Sequence, residues 1–270
     1  MMALDLTEAW PVDRVSAGWI TAAGATAVVG ADDAVFALAS VTKPLFAYAV
    51  LVSIEEGTLG LDQPAGPEGA TIRHLLAHAS GLGDDPSSPL SPPGRRRIYS
   101  NAGYELLGSQ LTAASGIPAG DYFREAVVEP LGMGSTELTG SPAHGAVSTV
   151  VDLLKVAAEW LAPTLISEVT MIDARSPQFA RLPGVLPGYG RHDPNPWGLG
   201  FEIKGTKAPH WTGTTNSPAT FGHFGRAGTF LWIDPAAGVA CAALTDRDFG
   251  PWALPLWPAL ADAVLAEVTD

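Results

Sequence analysis

The sequence SVTKPLFAYAVLV, residues 40–52, places a serine and a lysine three positions apart at the start of an apolar run. Pro44 indicates the first turn of a helix, because the N–H that proline lacks is unpaired there in any case. We therefore predict a helix from Ser40 to about Glu56, with Gly57 as its C′ residue. Residues three apart share a helix face, so the amine of Lys43 can reach the hydroxyl of Ser40. This is the arrangement of a nucleophile beside its base, and it favours acyl transfer.

The spacing of Ser40 and Lys43 has a second interpretation, in which the serine caps the helix and the lysine is a solvated first-turn cation. Residues 45–52 are apolar on every side of the predicted helix, which indicates that this helix is buried. A lysine in the first turn of a buried helix needs a partner of opposite charge or a lowered pKa. Both requirements favour a general base over a solvated cation.

The composition limits the class of protein. The 270 residues are 47% hydrophobic, which is ample for a sizeable core, and the net charge is −13. Residues 95–97 are the one basic run and are interpreted as a solvated loop, so nucleic acid is excluded as a partner.

Cys241 is the sole cysteine, in an apolar segment typical of a buried strand, so no disulfide forms within the chain. The first residues lack the features of a leader and no run of 18 apolar residues occurs, which predicts a cytoplasmic protein with no membrane partner.

Strand-like segments occupy both ends of the chain, and helical segments occupy its middle. Strands are predicted at residues 19–21, 27–29, 35–37, 199–203, 220–224, 229–233 and 239–245. Further helices are predicted at residues 71–78, 101–115, 119–128, 148–161 and about 252–268. This order predicts an α+β fold, with an antiparallel sheet built from both chain ends, flanked by helices, and an inserted mainly helical region. We predict a sheet domain of residues 1–60 and 191–270, a helical domain of 61–190, and an active site in the cleft between them.

Five motifs along the chain resemble, in order, the landmarks of the serine β-lactamase and penicillin-binding superfamily. They are Ser40-Val41-Thr42-Lys43, residues 75–82 (LLAHASGL), Tyr99-Ser100-Asn101, residues 129–133 (EPLGM) and His223-Phe224-Gly225. The branch they are most similar to contains class C β-lactamases, D-alanyl-D-alanine carboxypeptidases and esterases of the same fold.

The resemblance implies a role for each matching residue. Ser40 is the acylated nucleophile, Lys43 its proton acceptor, and Tyr99 the group that passes protons to the leaving group and later from water. The backbone N–H groups of Ser40 and Arg226 form the oxyanion hole, and the amide of Asn101 orients the substrate. No metal and no cofactor is implied.

The chemistry of Tyr99 sets a physical condition on this scheme. A tyrosine with an ordinary pKa near 10 acts as a base only if a close cation stabilises its phenolate, and we expect Lys43 to be that cation. Ser40, Lys43 and Tyr99 titrate as a unit, so the base is not assigned to one of them alone.

His223-Phe224-Gly225, the third motif after Ser40-Val41-Thr42-Lys43 and Tyr99-Ser100-Asn101 in the chemistry of the superfamily, departs from the Lys-Thr-Gly or His-Thr-Gly of members that process β-lactams and peptides. Phe224 has no hydroxyl, and His223 is mostly neutral near pH 7, so the usual contacts to a substrate carboxylate are in doubt, although Arg226 could supply one. We expect His223, Phe224 and Gly225 to contact the substrate, with Gly225 and Gly228 allowing it close to the backbone.

Two hypotheses of function follow. The first is a serine hydrolase that acts on small esters or amides through a covalent acyl-enzyme, with hydrolysis of β-lactams or D-alanyl peptides as variants. The second is a non-catalytic binding protein of penicillin-binding type; the presence of Ser40, Lys43, Tyr99 and Asn101 together favours the first. The pair His74 and His78 has the i, i+4 spacing of a metal-binding helix but lacks a third ligand, and structural packing is preferred.

Overall fold

The computed structural model of the chain describes residues 2–85 and 87–269, and its main element is a six-stranded antiparallel sheet. In spatial order the strands are β2 (Thr26–Val29), β1 (Val15–Thr21), β11 (Val239–Thr245), β10 (Thr229–Asp234), β9 (Phe221–Gly225) and β8 (Glu202–Ile203). Strands from the beginning and the end of the chain pair directly, with Val15 opposite Thr245. The predicted α+β fold, with a sheet built from both chain ends, is confirmed.

Small sheets and helices complete the fold. The small sheets contain β3 (Phe36–Ala37), β5 (Ala146–Ser148) and β4 (Glu137–Leu138), and the hairpin of β6 (Gly184–Leu186) and β7 (Gly190–His192). The α-helices are α1 (Thr42–Glu55), α2 (Ile72–Leu76), α3 (Asn101–Ser115), α4 (Ala119–Phe123), α5 (Val150–Leu161), α6 (Glu168–Ala174) and α7 (Ala253–Thr269). Short 3₁₀ helices cover Ala3–Ala9 and Ala39–Val41, and a π-helical turn covers Arg124–Val128. No helix among these described residues is both long and apolar enough to cross a membrane.

The central sheet is covered on both faces, and the strand sequences show why. On β11, Ala240, Ala242 and Leu244 join one hydrophobic core, whereas Val239, Cys241 and Ala243 join the other. Successive side chains of a strand point to opposite faces, so a strand that is apolar throughout requires a cover on each side. The first core contains α1, α3 and α5, and the second contains α7.

Helix α1 is buried in the first core for all but its last two residues. Every residue from Thr42 to Ser53 is buried, including Lys43, which agrees with the apolar pattern that continues around the predicted helix. Burial of this kind leaves α1 little freedom to shift, because protein interiors are close-packed. The helix therefore fixes the positions of side chains in its first turn.

Several element boundaries differ from the predictions for local reasons. Ser40 lies in the 3₁₀ turn, and the α-helix begins at Thr42. The strand predicted at residues 199–203 is reduced to β8, because Gly200 has φ +95° and packs where a Cβ would lie 2.3 Å from Cβ of Ala47. Helix α6 and the β6–β7 hairpin were not predicted. The domain boundaries remain a prediction; α5, inside the predicted helical unit, packs on β1 and β11.

Candidate active site

The turn that carries Ser40 is held in an unusual backbone conformation. Ala39 has φ +46°, a region that costs a non-glycine residue about 1–2 kcal/mol and persists only where the surroundings enforce it. The hydroxyl of Thr229 donates to the carbonyl of Leu38 at 2.8 Å, which ties the turn to β10. A Cβ on Gly225 would lie 2.4 Å from that same carbonyl oxygen. Gly225 therefore makes room for the turn beneath Ser40 and does not line the cleft described below.

The amine of Lys43 is fully buried beneath Ser40. Its Nζ lies 3.4 Å from Ser40 Oγ, 2.7 Å from Asn101 Oδ1 and 2.9 Å from the carbonyl oxygen of Ala143. It also lies 4.5 Å from the centre of the Tyr99 ring, over its face. The spacing of serine and lysine thus brings the two groups together as predicted from the helix period, even though the serine lies in a 3₁₀ turn.

Burial determines the charge of Lys43. Desolvation lowers its pKa to about 7, and the negative charges of Asp84 and Glu105 only partly oppose this shift. The neutral amine is therefore accessible near neutral pH, unlike that of a lysine in water. A neutral amine has two N–H groups, and Asn101 and Ala143 offer two acceptors. The lone pair of the amine nitrogen is then left to accept a hydrogen bond from the hydroxyl of Ser40.

Tyr99 also contacts Ser40 and lies next to Lys43. Its hydroxyl donates to Ser40 Oγ at 2.7 Å, and its ring packs against that of His78 at a centroid distance of 4.7 Å. Burial raises the pKa of Tyr99 well above its ordinary value, and the hydrogen bond to Ser40 only partly opposes the shift. Burial of both groups thus favours a protonated Tyr99 and a neutral Lys43 over a phenolate beside a lysine ammonium. The role of Lys43 as the cation beside Tyr99 stays a prediction.

The ring of His78 packs against that of Tyr99, and His78 is itself held in place by the backbone. It is buried with φ +54°, and its Nδ1 accepts a hydrogen bond from the backbone N–H of Ser100 at 3.1 Å. His74 is engaged separately, with Nδ1 2.9 Å from the hydroxyl of Thr71. Within residues 2–85 and 87–269, no group of three or more His, Cys, Asp or Glu side chains is placed to hold a metal ion.

The backbone N–H groups of Ser40 and Arg226 make no hydrogen bond to another group of the described residues. Arg226 follows β9 in the turn to β10, and both residues line the same cleft. Such donors can stabilise a negative oxygen that develops between them. The Arg226 side chain is exposed, with Nε 3.4 Å from a carboxylate oxygen of Asp248.

The cleft above Ser40 has a volume of about 320 Å³. It brings together six of the residues predicted for the site, namely Ser40, Tyr99, Asn101, His223, Phe224 and Arg226. Six further residues complete its lining and were not predicted for the site, namely Leu186, Pro187, Gly188, Trp197, Glu202 and Phe249. The walls are largely apolar, with the polar groups concentrated near Ser40, as is usual for a small-molecule site.

His223 and Phe224 are adjacent on β9 and have different surroundings. His223 is buried 5.5 Å from the ring of Trp197, and its Nδ1 donates to the carbonyl of Phe224 at 2.6 Å. Burial and the nearby Lys43 lower the pKa of His223 to about 3, so it is neutral at pH 7. Phe224 packs into the second core, 5.0 Å from the ring of Phe249. The motif offers the cleft neither a fixed cation nor a hydroxyl.

Glu202 is the one carboxylate among the cleft-lining residues, but its oxygens are occupied. They accept hydrogen bonds from Lys207, from His210 at 2.9 Å and from Trp211 Nε1 at 2.8 Å. Burial alone would raise the pKa of Glu202, but the charges and hydrogen bonds of His210 and Lys207 outweigh it and lower that pKa. Glu202 is therefore a fixed anion in the wall and a poor general base.

The chain is similar to known proteins along most of its length. The model of the β-lactamase family matches residues 14–265. A solved structure of a β-lactamase from Mycobacterium bovis is 53% identical, superposes with a TM-score of 0.98, and each chain covers the other completely. Among curated proteins, esterase EstB of Burkholderia gladioli is 28% identical, and the match covers 87% of this chain and 83% of that protein.

Penicillin-binding protein 4* of Bacillus subtilis gives a more local match. It is 30% identical over 139 residues, which are 39% of this chain and 31% of that protein. The chain thus spans about a third of the length of this relative.

The buried amine provides the first test. In protein labelled with ¹³C at lysine Cε, we expect the Lys43 resonance, identified by its absence in Lys43→Met, to titrate near pH 7. Asn101→Asp places a carboxylate against Nζ and should raise that midpoint, because an opposite charge favours the ammonium. A midpoint close to the ordinary lysine value of about 10.4 would contradict the desolvation argument.

Proposed function

Because the chain belongs to the β-lactamase family, whose members include hydrolases, we propose that Ser40 is the nucleophile of a serine hydrolase that forms a covalent acyl-enzyme. One observation carries the proposal. The hydroxyl of Ser40 is in reach of both a buried amine, 3.4 Å away, and the hydroxyl of a buried tyrosine, 2.7 Å away. A serine is a weak nucleophile until a neighbour takes its proton, and this arrangement supplies both an acceptor and a donor.

The reaction follows from these positions. Lys43 Nζ takes the proton of Ser40, and Oγ attacks the substrate carbonyl carbon. The carbonyl oxygen becomes negative and is stabilised by the N–H groups of Ser40 and Arg226; losing one such donor typically costs about 10²–10³ in rate. The proton on Lys43 is relayed by Tyr99, which donates to the leaving oxygen or nitrogen as the bond to carbon breaks. Water then attacks the acyl-enzyme, with its proton passed back to Ser40, and the acid is released.

We propose small esters as the preferred substrates, with amides as the slower class. Recognition of a carboxylate beside the scissile bond needs a cation or hydroxyl from the third motif, and His223 is neutral while Phe224 is apolar. The exposed guanidinium of Arg226 is adjacent to Asp248, which weakens it as a carboxylate partner. The name of EstB supports ester hydrolysis in a relative of this chain.

Hydrolysis of β-lactams is the second candidate. It uses the same acyl-enzyme, and the name of the 53% identical structure from M. bovis favours it. The composition of the third motif favours esters, so the two candidates differ in the recognition of the substrate and not in the nucleophile. A non-catalytic binding protein would have no need of a lowered Lys43 pKa or of unoccupied N–H donors.

Removing the nucleophile tests the proposed function. Ser40→Ala should lower hydrolysis of p-nitrophenyl acetate at least 10³-fold, roughly the loss expected when the attacking group of a covalent mechanism is removed. Ser109→Ala, which removes an exposed hydroxyl on α3, is the matched control and should keep the wild-type rate. Ester turnover by Ser40→Ala near the wild-type rate would refute the assignment.

Substrate preference is a separate prediction. The wild type should hydrolyse a short-chain ester with higher kcat/KM than a penicillin or a D-alanyl-D-alanine peptide. A hydrogen bond to a charged group is worth about 1.5–3 kcal/mol, or about 10–10² in selectivity. His223→Lys with Phe224→Thr should therefore shift the ratio toward the β-lactam, provided that circular dichroism shows the variant folded. The account of the third motif fails if the wild type prefers a β-lactam, or if the folded double variant leaves the ratio unchanged.

A further inference from the structure

A second cleft, of about 400 Å³, adjoins the candidate active site. The two clefts share Tyr99 and Pro187 in their linings, so they meet at the tyrosine that contacts Ser40. The second cleft lies between the segment before Tyr99 and the β6–β7 hairpin. None of its lining residues has a role in the proposed proton transfers except Tyr99.

Three guanidinium groups line this second cleft, and no carboxylate does. They belong to Arg96, Arg97 and Arg191. Within the described part of the chain, neither Arg96 nor Arg97 has a carboxylate oxygen within 4 Å. Arg191 is 3.9 Å from the exposed carboxylate of Asp193. In a chain of net charge −13, the cleft is a local concentration of positive charge.

The buried arginine differs from the two exposed ones in its contacts. Arg97 donates to backbone carbonyl groups alone, those of Ala77, Gln178, Phe179 and Asn195. Burial lowers its pKa to about 9, so it is still charged at neutral pH. Arg96 donates to the carbonyl of Leu90 at 2.9 Å and keeps the rest of its guanidinium exposed. Arg97 thus adds fixed positive charge behind the cleft, while Arg96 and Arg191 are free to contact a ligand at its mouth.

The remaining wall of the second cleft is apolar. Leu90 and Val185 are each 59% exposed, although most large hydrophobic side chains of this chain are buried. They lie in one lining with Ile98, Pro183 and Pro187. An apolar wall beside two exposed cations fits a ligand that is apolar along its length and negatively charged at its end.

The position of Tyr99 decides which half of the substrate can reach this cleft. In the proposed mechanism Tyr99 donates a proton to the leaving group, so the leaving group lies at the tyrosine. The first cleft contains the oxyanion donors of Ser40 and Arg226 together with apolar walls, so we assign it to the acyl group. The leaving group is therefore the half directed toward Arg96 and Arg191.

We propose that the second cleft binds the leaving group of the substrate, and that this group is an apolar alcohol ending in a carboxylate or phosphate-type anion. The inference rests on the proposed function and names the substrate class of that site. The carboxylate of a penicillin sits on the carbon bonded to the lactam nitrogen. It would lie at Ser40 and Tyr99 rather than beyond them, so this anion site does not favour penicillins.

The test compares acetate esters that differ only at the far end of the alcohol. The alcohols are 3-(4-hydroxyphenyl)propanoate, its neutral carboxamide, and the corresponding phosphonate. Two methylene groups separate the charge from the phenol, so the reactivity of the ester bond is nearly the same in all three. At low ionic strength, we expect kcat/KM to be about fivefold or more higher for an anionic ester than for the carboxamide. The preference should fall at 0.5 M salt, because exposed charges are screened.

Substitution of the arginines tests whether the preference for the anionic ester arises in the second cleft. Arg96→Gln with Arg191→Gln should bring the ratio of anionic to neutral ester close to one. Arg95→Gln is the matched control, since it removes an exposed neighbouring charge that does not line the cleft, and it should keep the ratio within about twofold. A higher rate with the phosphonate than with the carboxylate identifies a phosphate-type anion, and the reverse order identifies a carboxylate.

A binding measurement separates this inference from the proposed function. Isothermal titration calorimetry of Ser40→Ala with the free hydroxyphenylpropanoate and its carboxamide needs no catalysis. We expect the anion to bind more tightly, and the two arginine substitutions to remove the difference. The inference is overturned if anion and amide bind alike and the kinetic ratio is insensitive to Arg96 and Arg191, while Ser40-dependent hydrolysis persists. Loss of Ser40 dependence would instead refute the proposed function.

Discussion

The burial of one amine, that of Lys43, is the constraint on which the rest of the site depends. A lysine in water is almost entirely protonated at neutral pH and cannot accept a proton. Desolvation lowers the pKa of Lys43 to about 7, and two acceptors, Asn101 and Ala143, take the hydrogens of the neutral amine. The lone pair of the neutral Lys43 amine is then left to accept the proton of the Ser40 hydroxyl. Burial also raises the pKa of Tyr99, so the surroundings, and not the intrinsic chemistry of the side chains, distinguish the proposed base from the proposed acid.

The fold maintains this burial through α1. A helix apolar on every side can be stable only inside the protein, and the residues that bury it come from both the sheet and the helical region. The strained turn at Ala39 then presents Ser40 at the cleft, held by the hydroxyl of Thr229 and by the absence of a side chain at Gly225. A larger side chain at these supporting positions would displace Ser40, the proposed nucleophile, without changing any of the proposed catalytic groups, because interiors respond to added volume by shifting backbone.

The parts of this arrangement that follow a local sequence pattern could be predicted from the sequence. The three-residue spacing of Ser40 and Lys43, the continuous apolar run of α1 and the short apolar runs of β10 and β11 are local patterns, and each led to the correct element. Trp197, Glu202 and the β6–β7 hairpin line the cleft without any such pattern, because tertiary packing alone brings them there. The protonation states of Lys43 and Tyr99 could not be predicted from the sequence either. Tyr99 was expected to need Lys43 as a cation, whereas the burial of both groups, which the sequence does not show, favours a neutral amine and a protonated tyrosine.

The most direct test of the central claim, an activated Ser40, is intact-protein mass spectrometry after exposure to a fluorophosphonate, followed by peptide mapping. The account predicts a single adduct on the peptide that contains Ser40, absent in Ser40→Ala and formed much more slowly in Lys43→Met. An unmodified wild-type protein, or an adduct on any other serine, would contradict it.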